Sequence, residues 1–148
     1  MHQRLPVLLY GLAMLLWAPA APAENSTKVP GYTIHHNALT TDVLSASVAS
    51  SYAIRRSKNR ALLNVSVIKD APGTTGQPVA ARVQAVARNL MGQSRDIPMR
   101  EVREGTAIYY IGDFLVAHRD NLTFDLSVQP VDSDQTYTAR LTQEFFTD

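Results

Sequence analysis

The sequence predicts an all-β protein: an immunoglobulin-like antiparallel β-sandwich of about seven strands with one short helix after the first strand. Three observations carry this. Apolar residues recur with period two along most of the chain, most cleanly where Leu122, Phe124, Leu126 and Val128 alternate with Thr123, Asp125, Ser127 and Gln129. Turns rich in Gly, Pro, Asn and Asp separate these runs at the roughly 8–12-residue spacing of a sandwich. No repeat of strand and helix occurs that would build a parallel sheet. A small closed barrel is the alternative.

The elements follow in order. "ENSTKVPG" is polar and turns at Pro30-Gly31, so it reads as a loose lead-in. "YTIHHNAL" starts a strand, with Tyr32 and Ile34 alternating against Thr33 and His35. The period then changes. Val43, Leu44, Val48 and Tyr52 fall near helical spacing, and Thr40 or Thr41 can cap with Asp42 in the first turn. That predicts an amphipathic helix of about three turns. "ALLNVSVIK" returns to period two, with Leu63, Val65 and Val67 on one face and Asn64 and Ser66 on the other.

"DAPGTTGQP" is a loop. In "VAARVQAVARNL", Val79, Ala81, Val83, Ala85 and Ala87 share a face, and such small side chains suit a place where bulky groups pack opposite. "RDIPMREV" is short, and Pro98 cannot donate to a ladder, which puts it at an edge. "TAIYYIGDFLVAH" is apolar on both faces, as a central strand is. Ile108, Tyr110, Phe114 and Val116 lie on one face; Tyr109, Ile111 and Leu115 lie on the other. "TYTARLTQEFF" closes the chain with Tyr137, Ala139, Leu141 and Phe145 inward.

Residues 1–23 read as a secretory signal peptide. His2 and Arg4 precede the apolar run Leu5 to Trp17, and Ala21-Pro22-Ala23 has the small-x-small pattern of a cleavage site after Ala23. The run is shorter than the roughly 20 residues a membrane-spanning helix needs. The expectation is therefore a Sec-exported, periplasmic chain that spans no membrane after cleavage, with one domain over residues 24–148. The sequence contains no Cys, which excludes disulfides, thiolate metal sites and a lipidated cysteine anchor. This domain must hold together by packing alone.

Charge disfavours a nucleic-acid partner. Without Arg4 there are 13 basic and 13 acidic side chains, whereas nucleic-acid binders are normally net basic. The distribution is uneven: residues 24–103 carry 11 positive and 5 negative charges, and residues 104–148 carry 2 and 8. In one interleaved domain the two halves pair across strands.

The candidate sites are few. Arg55, Arg56, Lys58 and Arg60, beside Tyr52, could grip an acidic ligand or partner through guanidinium contacts. The plainer reading is a solvated lead-in to a buried strand, with Glu101, Glu104 or Asp113 as counter-charges. His35 and His118 are candidate metal ligands, but adjacent strand residues such as His35 and His36 face opposite ways and do not readily share one ion. Tyr109-Tyr110 reads either as an aromatic platform or as a strand filling two layers. No G-x-S-x-G elbow occurs. Asp132-Ser133-Asp134 lacks the Gly and the distal Glu of a calcium loop. No catalytic residues, enzyme activity or cofactor are therefore expected.

Five stretches taken together, "GYTIHHNA", "YAIRRSKNRALLNVSV", "ARNLMGQ", "EVREGTAIYY" and "TQEFF", resemble the DUF4426 family of small secreted proteobacterial proteins, a domain of unknown function. The resemblance covers nearly all of residues 24–148. It implies a Gram-negative exported β-sandwich and brings no activity. His36 departs from it, since an aromatic residue is expected there in relatives.

The expected function is a non-enzymatic binding or accessory module for a cell-envelope partner. Such a module works through a free strand edge near "RDIPMREV" or through the basic cluster. The alternative is a small-anion or metal-ion carrier using Arg55 to Arg60 and His35.

Overall fold

A computed structural model describes residues 25–148; the signal-peptide expectation for residues 1–23 lies outside them. Ten strands form two antiparallel sheets. In chain order they are β1 (Ser26–Val29), β2 (Tyr32–Thr40), β3 (Arg60–Lys69), β4 (Gln77–Pro78), β5 (Ala81–Arg88), β6 (Ser94–Ile97), β7 (Arg100–Glu104), β8 (Ala107–Leu115), β9 (Asn121–Pro130) and β10 (Tyr137–Glu144). The larger sheet runs β1-β2-β3-β8-β7, with β4 also paired to β3. The smaller runs β10-β9-β5-β6. This is the predicted sandwich.

The alternations place the core as predicted. Leu63, Val65 and Val67 of β3 face Phe124, Leu126 and Val128 of β9, all buried, with Ala85 and Ala87 leaving room beside them. Phe114, Phe124 and Phe145 pack mutually at tilted and edge-on angles at one end, the arrangement ring quadrupoles favour. The charge halves pair across the fold, as Arg60–Asp113, Lys69–Asp132 and Arg88–Asp125 show.

Four local expectations are corrected. The polar lead-in is β1, paired with β2 through the turn at Pro30-Gly31, where Gly31 takes φ +82°. β1 is an edge strand, so it needs no apolar alternation to be held. Gln77–Pro78, assigned to a loop, pairs briefly with the end of β3. "RDIPMREV" is two strands: β6 edges the smaller sheet, β7 edges the larger, and Pro98 lies in the switch between them. The switch packs on Gly112 of β8, where a Cβ would stand 2.6 Å from the Pro98 carbonyl oxygen.

The helix is shorter than three turns. Thr41–Val43 form a 3-10 turn, and α1 spans only Ala46–Ser51. Ser45 is the N-cap, its hydroxyl accepting from Val48 N–H at 3.2 Å. Thr41, expected as a cap, is buried and instead ties down the segment before β3: its hydroxyl donates to Arg55 O and accepts from Ser57 N–H. α1 ends in a Schellman motif built on Ala53 at φ +54°, with Ile54 N–H bonded to Ala49 O and Ala53 N–H to Ser50 O. That turn drives Ile54 onto the sheet beside Ala49.

Candidate functional site

The larger sheet has a second apolar face. Ala49, Ile54, Leu62 and Ile111 are buried there, outside the sandwich, with Leu39, Leu44, Tyr52, Val102 and Tyr109 packed around them. Strand alternation produces this: Leu62 and Ile111 point away from the core that their neighbours Leu63 and Tyr110 enter. α1 covers this face incompletely. Between helix and sheet lies an open groove of about 610 Å3.

Its floor is Leu39, Leu62, Asn64, Tyr109 and Ile111; one wall is Leu44, Val48, Ser51 and Tyr52. The other side is the rim of β7, Val102 and Glu104. Two polar features stand out. Asn64 Oδ1 is buried with no hydrogen-bond partner among the described residues. At the mouth, Tyr52 donates its hydroxyl to Glu104 Oε2, a bond that raises the phenol pKa above its ordinary value. Arg100 donates to the Tyr52 carbonyl, tethering the end of α1 to β7.

The predicted basic cluster is divided. Arg60 is ion-paired with Asp113 at 2.5 Å. Arg56 donates to the Asp42 carbonyl at 3.2 Å. Tyr52 belongs to the groove. Arg55 and Lys58 are exposed, and their side chains have no hydrogen-bond or ion-pair partner among the described residues. Glu101 and Glu104, two of the proposed counter-charges, are instead taken by Arg103 and Tyr52.

The histidines do not converge. His35 pairs with Ser66, and His118 follows Leu115, which pairs with Arg60. Six residues of β3 thus separate the two levels, about 20 Å at ~3.3 Å per residue. His118 Nδ1 accepts from Thr147 N–H, and its Nε2 lies 3.3 Å from Asp148. No cluster of three metal-binding side chains occurs among the described residues. His36 is buried, shares a hydrogen bond with Thr27 at 2.9 Å and leaves Nδ1 without a partner among the described residues; burial lowers its pKa.

Tyr109 and Tyr110 fill two layers, the second of their two readings. Tyr109 lines the groove. Tyr110 enters the core, donates to Glu101 Oε2 at 3.0 Å and accepts from Ala81 N–H at 2.8 Å. The groove itself was missed. Its signal was the apolar outward face of β8, since Tyr109 and Ile111 need a covering layer that a two-sheet sandwich does not supply.

Fold and groove together define a small immunoglobulin-like β-sandwich protein with a recess on one outer face. Residues 26–148 match the domain of unknown function DUF4426, and the chain belongs to that family. A crystal structure of a DUF4426 family protein from Pseudomonas aeruginosa is similar at 28% identity and TM-score 0.71, over 83% of this chain and 94% of that one. FetP of uropathogenic E. coli strain F11, recombinantly expressed in the periplasm, is similar at 8% identity and TM-score 0.58, over 85% of this chain and 95% of that one. A copper-bound FetP variant gives 8% and 0.56, over 84% and 90%. At that identity the likeness to FetP is one of fold. No curated protein matches the chain.

Proposed function

We propose that this protein is a non-enzymatic binding module of the cell envelope, and that the groove under α1 receives an amphiphilic ligand carrying a hydrogen-bond donor. The observation that carries this is Asn64: an amide on an otherwise apolar floor, with Oδ1 unpartnered. Turning the amide about its last torsion offers that oxygen to a ligand. An unmet buried acceptor costs about 1–3 kcal/mol, which a bound donor recovers. The volume falls in the roughly 300–1,000 Å3 range of small-ligand pockets. The groove lining contains no histidine, so no nucleophile–histidine pair forms there. Export is supported by the signal-peptide pattern of residues 1–23.

The test uses N-phenyl-1-naphthylamine, a neutral fluorophore with a single N–H donor. Saturable 1:1 fluorescence enhancement is expected. Val48→Trp, which fills the groove from its lip, should abolish it without lowering the melting temperature. No enhancement, or enhancement unchanged by Val48→Trp, overturns the reading.

A second reading, a small-anion carrier, is favoured by the exposed and unpartnered Arg55 and Lys58. Phosphate at 100 times its Kd adds about 2.7 kcal/mol of stability. A melting temperature raised by phosphate in the parent and not in Arg55→Ser/Lys58→Ser supports it; no shift removes it. The metal-carrier form rests on the fold likeness to copper-bound FetP alone.

A further inference from the structure

The larger sheet ends at β7, which pairs with β8 on one side only. Glu104 and Ala107 flank a two-residue hairpin loop, Gly105-Thr106, with Gly105 at φ +59°. The pair closing such a loop exchanges both of its hydrogen bonds. By alternation, Glu101 and Arg103 aim their backbone N–H and C=O away from β8. Both residues are exposed. Open groups of this kind are a template for another strand.

The strand reads Arg100-Glu101-Val102-Arg103-Glu104, and its charges invert about its centre. We propose that β7 pairs antiparallel with β7 of a second copy of this chain, about a twofold axis at Val102. Arg100 then stands opposite the partner's Glu104, Glu101 opposite the partner's Arg103, and Val102 opposite the partner's Val102. Every charged position meets its opposite.

Neighbouring registers fail this test. An axis at residue 101 sets Glu101 against itself, and one at 103 sets Arg103 against itself. Parallel, in-register pairing sets every charge beside its like, which is destabilising. In the favoured register Glu101 and Arg103 form the exchanged pairs, giving four backbone hydrogen bonds across the axis. Arg100 and Glu104 keep free donors and a free oxygen, since Tyr52 occupies only Oε2 of Glu104 and Arg100 bonds Tyr52 O through Nη2 alone. Glu101 and Arg103, ion-paired with each other within one chain at 2.5 Å, exchange that pair for the same contact across the axis. Val102 and Glu104 also rim the groove, so the dimer sets two grooves side by side across one continuous sheet.

The absence of Cys makes the test clean. Facing residues in a non-exchanged antiparallel pair have Cα atoms about 4.5 Å apart, within the range a disulfide spans. Val102→Cys should form a covalent dimer on mild oxidation. Val131→Cys, equally able to collide at 73% exposure, should form no covalent dimer. In sedimentation velocity without the cysteines, Arg100→Glu should weaken the dimer roughly tenfold or more, and Arg100→Glu/Glu104→Arg should restore it. Circular dichroism checks that each variant is folded. A parent that sediments as a monomer at every concentration, Val102→Cys oxidising no faster than Val131→Cys, or single and double reversals that behave alike each overturn the proposal.

Discussion

Tyr32 donates its hydroxyl to Asp132 Oδ1 at 2.6 Å across a separation of 100 residues. Asp132 also accepts from Lys69 Nζ at 2.6 Å, which with the Tyr32 bond holds its carboxyl below the usual carboxylate range. Tyr32 lies in β2 and Asp132 in the loop after β9, so the bond staples the two sheets at one end. The bond to Asp132, followed by burial, pushes the phenol up to about 12 from 10. A raised folded-state pKa contributes stability that is full below the unfolded value. Stability should therefore fall as pH rises from 10 towards 12. Tyr32→Phe should lose about 1 kcal/mol at neutral pH, the net worth of a hydrogen bond. It should also show a shallower alkaline loss in urea unfolding followed across that range.

His36 predicts the acid side. Burial lowers its pKa below 6.5, so the unfolded chain takes up a proton before the folded one does. Its contribution is present above pH 6.5 and is lost as pH falls towards the folded-state value. His36→Phe should flatten the melting temperature between pH 6.5 and 5. An unchanged slope would assign the acid sensitivity to other groups.

Ala53 holds a left-handed conformation in the cap of α1. Gly adopts it without a Cβ penalty. Ala53→Gly should raise stability by about 0.5–1 kcal/mol, after the extra freedom it gives the unfolded chain. Chemical denaturation measures this directly.

Gly112 predicts the reverse. A Cβ there meets Pro98 O at 2.6 Å and Ile97 Cγ2 and Met99 Sδ at 2.7 Å. The carbonyl belongs to the strand switch and cannot swing aside as a side chain could. Gly112→Ala should cost on the order of 1–3 kcal/mol, the usual penalty of overpacking. It should also speed proteolysis between β6 and β7.

Period-two patterning alone specified much of this protein. The alternation at Leu122 to Val128 sorts side chains into buried and solvated sets whatever lies opposite, so sandwich class, inward faces and most strands were legible. Pro98 also put "RDIPMREV" at an edge, where β6 and β7 lie. What was not legible was that β1 is a strand and that β6 and β7 are two, because these short strands bury little and carry no such imprint. Nor was the cap of α1, where Ala53 occupies a place that Gly would have advertised.

Only the tertiary structure decided what the candidate residues do. Arg60 read either as part of an anion grip or as the partner of Glu101, Glu104 or Asp113, and the β3–β8 register set it diagonally across from Asp113. Asn64 is the outward strand position expected, and only the layer formed by α1 makes that position part of a groove. Both outcomes depend on register and on layer stacking. Those are set by sums of contacts between distant segments, and a local pattern reports only which face of its own segment avoids water.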